Sequence, residues 1–238
     1  MKLLRILLVF LLCFTQVTLA FAGEEEVSCS FLGGGAREAT VEDMHSALLE
    51  QQDDFITQMA LSGNMPEGRL TWYGLGVTYY GQQTSMSCGP ACVRMALKYL
   101  TDITYSEATI RNNTSYNASS GTYLSNLVSY LNSEQDVRNY VKAYEVSRQS
   151  FANFVYAGIV YASAPSICGL IPKTANGFPY NMSNGHFVLI HQVAGDKSAV
   201  EVFDPWAGYQ NDLSYKTYEL YMDDIYDAYS LINCGLGY

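Results

Sequence analysis

Gln82-Gln83-Thr84-Ser85-Met86-Ser87-Cys88-Gly89-Pro90-Ala91-Cys92 sets a glutamine six residues before a cysteine that opens a strongly apolar helix. The pattern is that of a cysteine nucleophile. Thiol chemistry needs a thiolate, and the first turn of a helix favours one through the positive end of its dipole and its unpaired backbone N–H groups. From Gly89 to Leu100 the only charged side chains are Arg94 and Lys98, four residues apart on one stripe. Val93, Met95, Ala96, Leu97 and Leu100 fill the other faces. The segment reads as a central helix with one narrow polar edge. Pro90 suits its first turn, where the missing N–H costs no hydrogen bond. Gly89 reads as room for a substrate backbone beside the thiol.

A thiol nucleophile needs a base, and the second half of the chain supplies one. Gly185-His186-Phe187-Val188-Leu189-Ile190-His191-Gln192-Val193 and Ala199-Val200-Glu201-Val202-Phe203-Asp204-Pro205-Trp206 are two apolar strands separated by Gly195-Asp196-Lys197-Ser198. They form a hairpin, and folding it about Gly195 returns Asp204 to the neighbourhood of His186. An imidazole that takes the thiol proton and a carboxylate that fixes its tautomer are what activation of Cys88 requires. Strand alternation sends His186 and His191 to opposite faces. His186, at the strand's start beside Gly185, is the candidate base, and His45 reads as a surface residue.

These residues together resemble the C39-like branch of the papain-like cysteine peptidases. Gln82 lies six before Cys88, Cys-Gly-Pro-Ala runs into an apolar helix, Gly-His-Phe-Val-Leu follows about a hundred residues later, and Asp-Pro-Trp-x-Gly begins eighteen after the histidine. The resemblance covers about residues 80–238. It implies an α+β papain-like fold, with a central helix bearing the nucleophile packed on an antiparallel β-sheet. It also implies roles: Cys88 attacks, His186 is base and then acid, Asp204 orients it, and Gln82 joins the Cys88 N–H in the oxyanion hole, with Gln83 as fallback. Neither a cofactor nor a metal is implied. Peptidases of this clan that mature bacteriocins are often fused to an ABC transporter and cut after a double glycine. This chain has no transporter segment, so that role does not carry over.

The chain starts with Lys2 and Arg5, then an apolar run to Leu19 and Ala20-Phe21-Ala22. This reads as a secretory signal peptide, residues 1–22, and implies a periplasmic or extracellular protein. Without it 216 residues remain, one domain by length. Residues 23–69 form an N-terminal extension and 70–238 the peptidase domain. Lys2 and Arg5 leave with the signal, so 11 basic residues face 23 acidic ones, a net charge of −12. Nucleic acid and anionic membranes are poor partners for that charge; a peptide or protein substrate is expected.

Five cysteines remain after Cys13 departs: Cys29, Cys88, Cys92, Cys168 and Cys234. With Cys88 free, the other four allow three pairings in an oxidising compartment. The favoured one joins Cys92 to Cys168 and Cys29 to Cys234. A zinc site is a poor reading, since the one close cysteine spacing starts at the nucleophile itself.

Elsewhere, Phe31-Leu32-Gly33-Gly34-Gly35-Ala36 reads as a flexible junction. It holds a glycine pair, but a hinge is a commoner use of such a run than a processing site. An amphipathic helix follows over Thr40 to Leu61, packed on the domain or part of a propeptide. Short helices at Ser106 to Arg111 and Thr122 to Leu131, a strand at Val137 to Val146, and a helix at Phe151 to Tyr161 capped by Ser150 complete the pattern. Asn112, Asn113, Asn117 and Asn181 begin glycosylation sequons.

The leading expectation is hydrolysis of peptide or isopeptide bonds through a thioester acyl-enzyme. An acyltransferase of transglutaminase-like type shares every feature above, because the acceptor pocket is built by loops. A non-catalytic secreted binding module, using some of the 20 tyrosines for recognition, is the third class.

Overall fold

The structure is a computed structural model that describes residues 34–61 and 71–238. The signal peptide expected at 1–22 and Cys29 lie outside the described residues. Within one compact unit the chain opens with β1 (Ala36–Arg37) and α1 (Val41–Asp53). Thr40 caps α1: its hydroxyl accepts the Asp43 N–H at 3.1 Å and the Asp43 carboxylate accepts the Thr40 N–H at 2.9 Å, a reciprocal capping box. The single helix expected over Thr40 to Leu61 is two. Asp54 adopts extended backbone and its carboxylate accepts the Thr57 N–H at 2.7 Å, starting α2 (Phe55–Leu61).

Both helices are bonded to the rest of the fold. The Thr57 hydroxyl meets the Tyr238 hydroxyl at 2.6 Å, Asn153 donates to the Ala60 carbonyl at 2.9 Å, and Gln51 donates to the Lys142 carbonyl at 2.7 Å.

Next come β2 (Trp72–Gly74), α3 (Cys88–Thr101), α4 (Glu107–Asn113), β3 (Thr122–Tyr123) and α5 (Leu124–Ser133). In α3, Cys88 to Val93 and Met95 to Leu97 are buried, while Arg94 and Lys98 keep the wet edge. Arg94 lies 3.9 Å over the Tyr80 ring. Burying each large apolar side chain of this helix contributes about 1.5–3 kcal/mol before entropy is counted. Gly89 is required by packing rather than by substrate access: a Cβ there would lie 2.7 Å from Leu127 Cδ1 and 3.1 Å from the Phe187 ring.

The strand expected at Val137 to Val146 shrinks to β4 (Lys142–Ala143). The Asn132 side chain takes over part of the ladder, accepting the Tyr140 N–H at 2.8 Å and donating to its carbonyl at 2.9 Å. Helix α6 (Arg148–Val160) starts three residues earlier than expected, because Ser147, not Ser150, is its cap. Then follow β5 (Ser166–Leu170), β6 (His186–Ala194), β7 (Ala199–Phe203), α7 (Trp206–Tyr209), β8 (Thr217–Tyr221), α8 (Met222–Ser230) and β9 (Leu236–Gly237).

The sheet runs β4-β9-β5-β6-β7-β8, all antiparallel, with β2 also on β6. The expected hairpin is β6–β7, with Ile190 opposite Val202 and a bulge between Ile190 and Gln192. Alternation along β6 divides two cores. Phe187 and Leu189 pack with Met95 and Leu97 of α3 and Leu127 of α5; Val188 and Ile190 pack with Phe151 and Phe154 of α6 and Ile225 of α8. The result is the expected α+β arrangement, with the helix that bears Cys88 lying on an antiparallel sheet.

Candidate active site

Cys88 is the first residue of α3 and His186 the first of β6. The packing of α3 on β6 joins them: the Phe187 N–H donates to Cys88 Sγ at 3.4 Å. His186 Nε2 lies 2.9 Å from Asp204 Oδ1, and Asp204 follows β7 directly. His186 Nδ1 has no hydrogen-bond partner. Cys88, His186 and Asp204 have no exposed surface.

Burial alone would push the imidazole toward its neutral form, but the charge of Asp204 and then of Cys88 outweighs it. The pKa of His186 is raised from 6.5 to about 10. Burial likewise works to raise Asp204, and the facing His186 together with hydroxyl donors holds it below its ordinary value. The arrangement thus favours a charged imidazole at neutral pH.

Asp204 has a full set of partners that its sequence position did not announce. Oδ1 also accepts the Trp206 N–H at 2.9 Å, while Oδ2 accepts the Tyr180 hydroxyl at 2.5 Å and the Tyr218 hydroxyl at 2.7 Å. Tyr79 donates to the Asp204 carbonyl at 3.0 Å. A buried carboxylate needs such donors to offset its lost hydration.

Of the two glutamines, Gln82 is buried and Gln83 exposed, so only Gln82 faces inward. Its Nε2 donates to the Thr84 carbonyl at 2.8 Å, leaving its second amide hydrogen for another acceptor. Its main-chain N–H donates to the Pro205 carbonyl at 3.0 Å, tying this loop to the residue after Asp204. Glu107, fully buried at the start of α4, accepts the Gln83 N–H on both carboxylate oxygens, at 3.1 and 3.0 Å. It braces the loop between Gln82 and Cys88. A helix-cap pattern at Ser106 was visible in the sequence, but nothing there pointed from Glu107 to this loop.

His191, the other strand histidine, stacks on Phe203 with ring centroids 4.0 Å apart, and burial lowers its pKa. His45 is exposed. Gly34 and Gly35, read as a flexible junction, are instead buried and bonded on both sides.

The expected Cys92–Cys168 disulfide is not formed; both are free thiols. Cys92 is on α3 and packs against Phe187 and Leu189, whereas Cys168 sits in the core on the other face of the sheet. The sheet itself separates them, and Cys92 Sγ turns to the Phe187 carbonyl at 3.6 Å. Cys234 is also a free buried thiol, and its expected partner, Cys29, lies outside the described residues. Burial raises the pKa of Cys92, Cys168 and Cys234 alike. Among the described residues no group of three or more His, Cys, Asp or Glu side chains is arranged to hold a metal ion. A surface depression of about 1000 Å³ lined by Arg148, Asp196, Lys197 and Tyr221 includes none of Gln82, Cys88, His186 and Asp204.

A family model, that of the Peptidase C39 like family, matches residues 74–234, well over half of the chain. The chain belongs to the peptidase C39-like family. The match spans every candidate residue from Gln82 to Asp204, and the family is one of cysteine peptidases acting on peptides or proteins. No curated protein matches the sequence. Among solved structures, the peptidase domain of Streptococcus ComA, a bi-functional ABC transporter involved in a quorum sensing pathway, is 17% identical. The alignment covers 69% of this chain and 95% of that one, with a TM-score of 0.43.

Proposed function

We propose that this C39-like chain is an exported cysteine peptidase that hydrolyses peptide or isopeptide bonds with Cys88, His186 and Asp204. The observation that carries the reading is the position of His186, held by Asp204 at 2.9 Å on one nitrogen and influenced electrostatically by the Cys88 sulfur.

The steps follow from that geometry. The Cys88 thiolate attacks the substrate carbonyl carbon, and the electron pair of the C=O bond moves onto oxygen. The Cys88 N–H and the second Gln82 amide hydrogen receive that charge; removing one such donor costs on the order of a hundredfold in rate. Collapse breaks the C–N bond, and the imidazolium gives its proton to the departing amine. His186, now neutral, takes a proton from water, which attacks the thioester. The adduct collapses with cleavage of the C–S bond, the acid leaves, and the Cys88 thiolate and His186 imidazolium are restored.

Export rests on the Lys2-to-Ala22 pattern. The buried thiols of Cys92, Cys168 and Cys234, with raised pKa values, suit an oxidising compartment, because the thiolate is the reactive form. The test is Cys88→Ala: peptide turnover is expected to vanish with an unchanged circular dichroism spectrum. Retained turnover would sink the assignment.

A further inference from the structure

Residues 34–37 bridge the segments that lead into Cys88 and into His186. The Gly34 N–H donates to the Ser85 carbonyl at 3.3 Å, three residues before Cys88. The N–H groups of Gly35 and Ala36 both donate to the Gly185 carbonyl, at 2.7 and 3.1 Å, one residue before His186. The Thr122 N–H donates to the Gly35 carbonyl at 2.6 Å, and Ala36 and Arg37 pair in parallel with Thr122 and Tyr123. Arg37 completes the contact, its guanidinium 3.7 Å over the Tyr123 ring. The segment is thus fastened to the loop that leads into the nucleophile and to the residue that leads into the base.

The fit leaves no space for side chains. A Cβ on Gly35 would lie 2.1 Å from the Met86 carbonyl oxygen, and one on Gly34 would lie 2.4 Å from the Gly185 carbonyl oxygen. From the other wall, a Cβ on Gly121 would meet the Gly35 oxygen at 1.9 Å, and one on Gly185 would meet the Ala36 oxygen at 2.5 Å. These are backbone atoms, which cannot swing aside as a side chain would. The segment therefore fills a slot whose walls are main chain, and with it in place Cys88 and His186 have no exposed surface.

We propose that residues 34–37 are an intramolecular occupant of the cleft that keeps the enzyme latent until the segment is displaced, an inference that rests on the reading of the cleft above. The Gly35 carbonyl oxygen is engaged by the Thr122 N–H, so the segment is bound as an added strand rather than presented for attack. Because it is tethered to the same chain, it competes with substrate at an effective concentration of about millimolar. Substrate affinity and thiol reactivity are both reduced by the fraction of molecules in which the cleft is closed.

The test measures access to Cys88 separately from turnover. The full chain and the variants Gly35→Ala and Ala36→Pro are treated with iodoacetamide, labelling is followed by peptide mapping, and hydrolysis of a peptide library is assayed in parallel. In the variants Cys88 is expected to label about tenfold faster or more, in line with release from a mostly closed state. A synthetic peptide spanning residues 31–38 should slow the variants again. Buried Cys92 and Cys168 report folding: if they also label in one variant, that variant has opened and the other decides.

Equal Cys88 rates in the native chain and both variants overturn the proposal, as does rapid labelling of the native chain. Faster labelling without any hydrolysis keeps the occlusion and rejects the peptidase reading instead.

Discussion

His186 Nε2 stands 2.9 Å from Asp204 Oδ1 with both side chains fully buried, so the carboxylate fixes which imidazole nitrogen faces away from it and holds the ring charged. In Asp204→Asn the charge is removed while the shape is kept. The rate is expected to fall by up to about 10⁴, the loss seen when the orienting carboxylate of a serine-protease triad is neutralised. The alkaline limb of kcat/KM should also move from near pH 10 down toward the ordinary histidine range. A pH–rate profile of both forms measures this, and an unmoved alkaline limb would show that Asp204 does not set the charge of His186.

The same pair makes stability depend on pH in a defined direction. The pKa of His186 is raised in the folded state, from 6.5 to about 10. Its contribution is therefore fully present below about pH 6.5 and lost as pH rises through about 10. Asp204 is shifted the other way, below 3.8, so its contribution is present above that value and is lost as pH falls through its folded value. Denaturation midpoints taken from pH 6 to 10 should decline in the parent and decline less in His186→Gln; parallel curves would contradict the linkage.

Glu107 acts through the main chain of the loop before Cys88. Glu107→Ala leaves the Gln83 N–H without its acceptor, costing about 1–3 kcal/mol. The expected signature is a kcat reduced by about tenfold or more with KM little changed, because the loop carries the proposed oxyanion donors, and Glu107→Gln should rescue in part. A change in KM alone would make Glu107 a residue of general stability or binding.

The two tyrosines on Asp204 Oδ2 share one acceptor. Tyr180→Phe or Tyr218→Phe alone leaves a remaining donor, and each should cost about 0.5–1.5 kcal/mol. The double variant leaves that oxygen buried with no donor, so its loss should exceed the sum of the singles. Chemical denaturation of all four forms completes the cycle, and strict additivity would contradict a shared role.

The thiol count can be read directly. Alkylation of the denatured, unreduced protein should modify Cys92, Cys168 and Cys234, because all three are free. Protection of Cys92 and Cys168 together would restore the disulfide and contradict their placement on opposite faces of the sheet.

Legibility in the sequence followed the range of each signal. The α3 helix, the β6–β7 hairpin and the pairing of His186 with Asp204 were readable because each rests on short-range periodicity or on a turn that returns the chain on itself. What failed involved positions set by distant contacts. Asp54 broke a continuous apolar pattern because its carboxylate caps α2, and Asn132 replaced strand pairing beside Tyr140. Cys92 and Cys168 could not be assigned to opposite faces of the sheet before the register of β5 on β6 was known. Glu107, Tyr180 and Tyr218 reach the site from separate elements, and no local spacing marks them.

Strand β6 is flanked by β7 along one edge and by β5 and β2 along the other, with helices on both faces. The Cys88 sulfur accepts from its second residue, Phe187, and His186 is its first. Thermal loss of the contacts between Cys88, His186 and Asp204 should therefore track the cooperative melting of the whole sheet rather than the local opening of a loop.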